Sequence, residues 1–215
     1  MRFKRFFIII TTLLILISIS SSAQTEKPRI LFFGDSITAG YGIEKSQAFP
    51  ALLQEKVDSL KIRFDLINGG LSGETSAGGL RRIDWMLQKK VDIFVLELGG
   101  NDGLRGIDVK DTEANLIAII DKVRKKNPAT IILLAGMQVP PNLGKEYTDA
   151  FAAIYPKIAK EKETRLIPFL LEDVGGIAEL NLPDGIHPTA QGHKLVAETV
   201  WKYLFKEINT FYGMH

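Results

Sequence analysis

Residues 91–98 read Val91-Asp92-Ile93-Phe94-Val95-Leu96-Glu97-Leu98 and run straight into Gly99-Gly100-Asn101-Asp102. Consecutive β-branched, aromatic and aliphatic residues over this length fit a strand buried on both faces; a strand with one wet face would alternate. Four shorter runs share the character: 29–33 (RILFF), 64–67 (FDLI), 130–134 (TIILL) and 165–167 (RLI). Between them, 49–59, 79–90, 112–126 and 148–162 read as helices. A last helix, about 189–208, carries Val196, Val200, Leu204 and Ile208 on one stripe at four-residue spacing. Strands apolar on both faces and separated by helices predict an α/β fold with a mostly parallel sheet covered on both sides. Pro156 falls inside the fourth expected helix and should kink it or mark its break. No internal repeat, low-complexity tract or linker divides the chain, so residues 24–215 are expected to form one domain.

In open α/β sheets, ligands bind outside the carboxyl ends of the strands, near the point where strand order reverses. The segments that follow the first three runs are Gly34-Asp35-Ser36, Asn68-Gly69-Gly70-Leu71-Ser72-Gly73 and Gly99-Gly100-Asn101-Asp102, all rich in small and polar groups. They put the chemistry of the chain on one edge. Gly-Asp-Ser at a strand end can be a plain helix N-cap. The small-residue segment Thr38-Ala39-Gly40-Tyr41-Gly42 also lets backbone and substrate come close to Ser36. The string is not G-x-S-x-G, which excludes the nucleophile elbow of α/β-hydrolases.

Near the other end stands Asp184-Gly185-Ile186-His187-Pro188. A serine hydroxyl is unreactive at neutral pH unless a base takes its proton in the transition state. Asp184-Gly185 is a turn signal, and Pro188 keeps His187 out of helical geometry. A tight turn would bring the carboxylate to Nδ1 and leave Nε2 free for the serine. A histidine in such a loop can equally be structural, but the alternatives are His193, inside the expected last helix, and His215, at the terminus. Asn101 is either a turn residue or an amide donor to an oxyanion, and Gly73 offers a backbone N–H or merely answers to backbone geometry. Asp35 is expected to organise the turn around Ser36. Glu97, near the end of a buried strand, is expected to be a carboxylate satisfied by arginine or backbone donors.

Composition removes other chemistries. The chain has no cysteine, which excludes disulfides, thiolate metal sites and a cysteine nucleophile. No metal-ligand spacing and no phosphate-cradling loop occurs, so no metal and no cofactor are expected. Residues 1–23 hold Arg2, Lys4 and Arg5, an almost purely apolar stretch, and Ser21-Ser22-Ala23. That is the pattern of a signal peptide cleaved near Ala23, with no membrane span left afterwards. Of 27 basic and 25 acidic residues the leader takes three basic ones, so the remainder carries a formal charge of −1 and offers no case for nucleic acid. An exported chain without disulfides must be stabilised by its core, and about 190 residues can build one.

Four blocks together resemble the SGNH (GDSL-type) hydrolase family: residues 34–42, the 68–76 loop with Gly73, Gly99-Gly100-Asn101-Asp102, and Asp184-Gly185-Ile186-His187-Pro188. They follow in the family's order and span nearly the whole chain after the leader. The strings 96–106 and Pro140-Pro141-Asn142 with Tyr147, Phe151 and Tyr155-Pro156 look like its branch of small exported thioesterase/lysophospholipases and arylesterases. Ile37-Thr38 stands where many members have Leu-Ser, which changes the packing beside the serine. The resemblance implies a flavodoxin-like three-layer α/β/α sandwich with a five-stranded sheet. It implies Ser36 as nucleophile, Asp184 and His187 as its triad partners, and an oxyanion hole from the Ser36 N–H, the Gly73 N–H and the Asn101 side chain.

The expected function is then a serine ester hydrolase working through an acyl-enzyme on aryl, short-to-medium acyl, lysophospholipid or thioester substrates, periplasmic or secreted and monomeric. Walls for an acyl group are expected from Tyr41, Leu104, Ile107 and Pro140, with the 136–147 loop as a lid. A carbohydrate O-deacetylase would use the same triad, and a non-catalytic lipid- or glycan-binding module is the alternative of another class.

Overall fold

The computed structural model describes residues 26–214, so the expected leader at 1–23 lies outside the described residues. Five strands, β1 (Arg29–Gly34), β2 (Asp65–Asn68), β3 (Ile93–Glu97), β4 (Ile131–Ala135) and β5 (Arg165–Ile167), form one sheet in the order β2-β1-β3-β4-β5. Every neighbouring pair is parallel, so the sheet is wholly parallel where the sequence pointed to a mostly parallel one. The described helices longer than one turn are α2 (Phe49–Ser59), α3 (Ser76–Met86), α4 (Gly100–Leu104), α5 (Val109–Lys126), α6 (Lys145–Glu161) and α7 (Ala190–Phe211); α1 (Ser36–Ala39) is a single turn. Helices α3, α5 and α6 pack side by side on one face, and α2 packs on α7 across the other. This is the three-layer α/β/α sandwich. None of the described helices is long and apolar enough to cross a membrane.

Burial explains the strand pattern. All five residues of β3 are buried, as are four of five in β4, because both faces lie under helices. The edge strands β2 and β5 are only partly covered. Residues 91–98 form a strand only from Ile93 to Glu97; Leu98 is buried but already belongs to the turn.

Side-chain caps place several helix starts earlier than periodicity alone suggests. Thr75 accepts from the Gly78 N–H and starts α3 at Ser76, and Asp108 accepts from the Lys110 N–H and starts α5 at Val109. Pro156 neither ends nor splits α6. Phe151, Ile154, Tyr155, Ile158 and Ala159 are buried on both sides of it, so packing outweighs the missing backbone bond.

The strand order decides where the site lies. The chain leaves β1 for β2 on one side and returns for β3 on the other, so the order reverses between β1 and β3. The crevice at that reversal lies between the turns after Gly34 and after Glu97.

Candidate active site

Ser36 sits two residues beyond β1's last residue, Gly34. Only a glycine fits at Gly34, since a Cβ there would come within 2.3 Å of the Glu97 carboxyl and 2.7 Å of the Glu97 carbonyl oxygen. Asp35 then caps α1, its Oδ1 accepting from the Ile37 N–H at 3.0 Å. The capping role thus belongs to Asp35, which leaves the Ser36 hydroxyl free. That hydroxyl lies 2.9 Å from His187 Nε2.

The 181–188 segment is a tightly tied turn. Asp184 Oδ1 accepts from the backbone N–H of Ile186 (2.9 Å) and of His187 (3.0 Å), and Oδ2 lies 2.7 Å from His187 Nδ1. Gly185 takes a positive φ of 69°, which the turn requires. Below it, Asn181 pairs with Pro188, and its Nδ2 donates to the carbonyls of Val174 and Ile177. The turn is thereby anchored from beneath. Desolvation pushes the Asp184 carboxyl up, but the His187 N–H, the His187 ring and the Ile186 N–H outweigh it and hold it at about 2. Asp184 is therefore ionised at neutral pH, and the imidazole is oriented with Nδ1 to the carboxylate and Nε2 to the hydroxyl.

Asn101 lies on the first turn of α4, beside Ser36 in the crevice. Its Nδ2 donates to Asp35 Oδ2 at 3.0 Å, which leaves the second N–H of that amide available. The next residue, Asp102, is fully buried and accepts from the N–H and hydroxyl of Ser76, tying α4 to the start of α3. Gly73 adopts φ 77° in the loop after β2. It does not line the crevice that holds Ser36; it faces a neighbouring shallow depression with Arg81, Arg82 and Arg105. Arg105 bridges the two positions, its Nη2 donating to the Gly73 carbonyl at 3.0 Å and reaching Asn101 Oδ1 at 3.5 Å.

A cleft of about 480 Å³ opens over Ser36, Asn101 and His187. Leu104 and Pro140 line it as expected; Tyr41 and Ile107 do not. Tyr41 packs instead on the His187 ring, 4.5 Å between centroids, in a segment where Gly40 and Gly42 both take positive φ. Ile107 lies outside the cleft lining, and its carbonyl accepts from the Tyr147 hydroxyl at 2.8 Å. Of the 136–147 loop, Met137 to Pro141 line the cleft, whereas Leu143, Gly144 and Tyr147 border a separate, more open depression that contains none of Ser36, Asp184 or His187.

Sequence reasoning missed the wall built by Phe169, Leu171, Gly175 and Gly176. The same rule that singled out the turns after β1 and β3 applies to the segment after β5 and would have found it.

Two carboxyls behind the site are unusual. Asp35 and Glu97 are both buried, and desolvation raises both above their ordinary range, Glu97 strongly. Glu97 Oε2 accepts from the Asp35 N–H (3.0 Å) and the Thr38 hydroxyl (2.8 Å). A backbone donor is present as expected, but a threonine stands where an arginine was allowed for.

A profile of the GDSL-like Lipase/Acylhydrolase family matches residues 32–195. The chain is 40% identical over 192 residues to Esterase TesA of Pseudomonas aeruginosa, covering 89% of this chain and 92% of that protein. It is 40% identical over 181 residues to Thioesterase 1/protease 1/lysophospholipase L1 of Escherichia coli K12, covering 84% and 85%. The crystal structure of the psychrotrophic esterase EstA from Pseudoalteromonas sp., inhibited by monoethylphosphonate, superposes with a TM-score of 0.80 at 34% identity, covering 84% of this chain and 98% of that one. The chain belongs to the GDSL-like lipase/acylhydrolase family, the SGNH hydrolases, and is an ester hydrolase.

Proposed function

We propose that the protein is an exported serine esterase in which Ser36 is the nucleophile, His187 the general base and acid, and Asp184 the group that orients and stabilises the imidazolium. The observation that carries this reading is the unbroken relay from Ser36 Oγ to His187 Nε2 (2.9 Å) and from His187 Nδ1 to Asp184 (2.7 Å) at the floor of the cleft. Ser36 Oγ attacks the ester carbonyl while its proton passes to Nε2. The oxyanion is held by the free N–H of the Asn101 amide and the backbone N–H of Ser36; Gly73, in the adjoining depression and linked to Asn101 through Arg105, would add its N–H only from the rim of the site. Collapse expels the alcohol, protonated by His187, and leaves an acyl-Ser36. Water, activated by the same imidazole, releases the acid and regenerates the hydroxyl.

The acyl or aryl group lies against Leu104, Pro140, Phe169 and Leu171, side chains that favour an apolar substituent over a carbohydrate. Aryl esters, short-to-medium acyl esters, lysophospholipids and thioesters are the substrate class; the relatives' names include arylesterase, thioesterase and lysophospholipase. The catalytic domain is residues 24–215, released from a signal peptide near Ala23, and N-terminal sequencing of protein made in its host tests that cleavage.

Hydrolysis of p-nitrophenyl esters from acetyl to long acyl chains, by the wild type and Ser36→Ala, tests the chemistry. The expected outcome is turnover by the wild type and a loss on the order of 10⁴-fold or more in kcat for Ser36→Ala. Equal rates for the two proteins, both folded by circular dichroism, would sink the proposal. Activity confined to acetyl esters would favour the deacetylase reading.

A further inference from the structure

We propose that Glu97 is a positioning residue held as the neutral acid, donating its proton to the Asp35 carboxylate so that the joined pair locks the Ser36 turn and the Asn101 amide in one register. The functional part of this inference rests on the roles proposed above for Ser36 and Asn101; the proton's location does not.

Glu97 is the last residue of β3, at the reversal of strand order, and is 1% exposed. Its Oε2 is fully engaged by the Asp35 N–H and the Thr38 hydroxyl. Its Oε1 is buried and receives no donor among the described residues. None of the ion pairs among the described residues includes Glu97 or Asp35. A carboxylate in that position would leave a charged oxygen buried without a partner, among the costliest arrangements a core can hold. A proton turns the orphan acceptor into a donor. The acceptor is the neighbouring Asp35 carboxylate, whose own backbone N–H Glu97 Oε2 already holds at 3.0 Å.

The groups that face the pair assign the proton. His187, on the C-terminal turn, favours the charged form of Asp35. The Asn101 amide and the Ile37 N–H also donate to Asp35. From α6, Tyr155 offers no proton to either carboxyl, because its hydroxyl donates to the Leu98 carbonyl at 3.0 Å. Asp102 is spent on Ser76. Asp35 therefore keeps the charge and Glu97 the proton. Burial, and then the Asp35 charge, push Glu97 well above the usual carboxyl range in the same sense.

One proton then organises three parts of the site. Glu97 holds Asp35; Asp35 Oδ1 caps the helix turn that begins with Ser36; and Asp35 Oδ2 fixes one N–H of Asn101 so that the other faces the cleft. A second full negative charge, which would oppose the developing oxyanion, is kept out of the turn behind it.

The first test is infrared spectroscopy of the wild type at neutral pH. A protonated-carboxyl C=O band that shifts on ¹³C-glutamate labelling and disappears in Glu97→Gln is the expected result. The absence of any such band in the wild type overturns the proposal, whatever the variants do. Thr38→Val, which removes a donor to Oε2, moves the band if Glu97 carries it; an unmoved band assigns it to another glutamate and overturns the proposal.

In esterase assays Glu97→Gln, a neutral isostere that still donates, retains kcat within about threefold, whereas Glu97→Ala loses about 10- to 100-fold in kcat with KM little changed. Equal losses for the two would overturn the positioning role. The unfolded chain releases the Glu97 proton and the folded chain keeps it, so wild-type stability falls as pH rises above the ordinary glutamate value; Glu97→Gln loses that slope. Ser36→Ala keeps the band while losing turnover, so failure of the nucleophile assignment is read separately.

Discussion

Arg105 is an exposed side chain whose one Nη2 touches both the Gly73 carbonyl and Asn101 Oδ1. Its contact holds the Asn101 amide from outside, as Asp35 does from inside, and ties it to the loop that carries Gly73. Asn101→Ala removes the donor itself and is expected to cost about 100- to 1000-fold in kcat. Arg105→Ala leaves that donor in place but releases its orientation, and about tenfold in kcat with little change in KM is expected. A loss expressed in KM alone, measured by steady-state kinetics on a p-nitrophenyl ester, would make Arg105 a substrate contact instead. Ser36, Asp184 and His187 were legible because each is a chemically distinctive residue in a turn-forming string. The bridge by Arg105 was not, because an arginine four residues after an asparagine on a short helix has no signature of its own.

Among the elements, α6 shows how far local rules carry. Its amphipathic pattern announced a helix, yet Pro156 argued for a kink or a break within it. The helix runs through because residues before and after the proline are anchored in the core, while Pro156 itself is exposed. The missing N–H and the ring's clash with the carbonyl one turn back remain a local cost. Pro156→Ala is expected to raise stability by about 1–3 kcal/mol, read as a higher denaturation midpoint in urea at unchanged slope. Lower stability would mean that the proline acts by restricting the unfolded chain. The loop after β2 is governed by packing as well: a Cβ on Gly70 would lie 2.2 Å from the Ala39 nitrogen, so only glycine lets this loop sit against α1. The segment after β5 was missed as a cleft wall although its strand was read at the right bounds, because Phe169 and Leu171 form an apolar run without the small and polar string that marked the ends of β1, β2 and β3.

At the scale of the whole molecule, His193 couples the two helices that make up one outer layer. It lies in α7, is buried, and its Nδ1 accepts from the Phe49 N–H at the start of α2 while its ring stacks on Phe49. Desolvation, and then the charge of His187, lower it from 6.5 to about 4. The folded state thus binds fewer protons than the unfolded state between these values, and stability is lost as pH falls from about 6.5 to about 4. The loss is on the order of 3 kcal/mol. In urea titrations His193→Gln should flatten the stability profile over that window; an unchanged slope would place the titration elsewhere. From the sequence alone, the layered α/β fold, the edge that carries the candidate site and the residue types of the proposed triad were legible, because apolar periodicity, helix caps and turn residues act over a few neighbours. Only the tertiary structure decided that Ser36 and His187, 151 positions apart, meet at hydrogen-bond distance, that Asn101 turns toward Asp35, and that two buried carboxyl residues, Asp35 and Glu97, come together behind them. Those outcomes follow from strand order and close packing, which bring together groups whose separation along the chain says nothing of their separation in space.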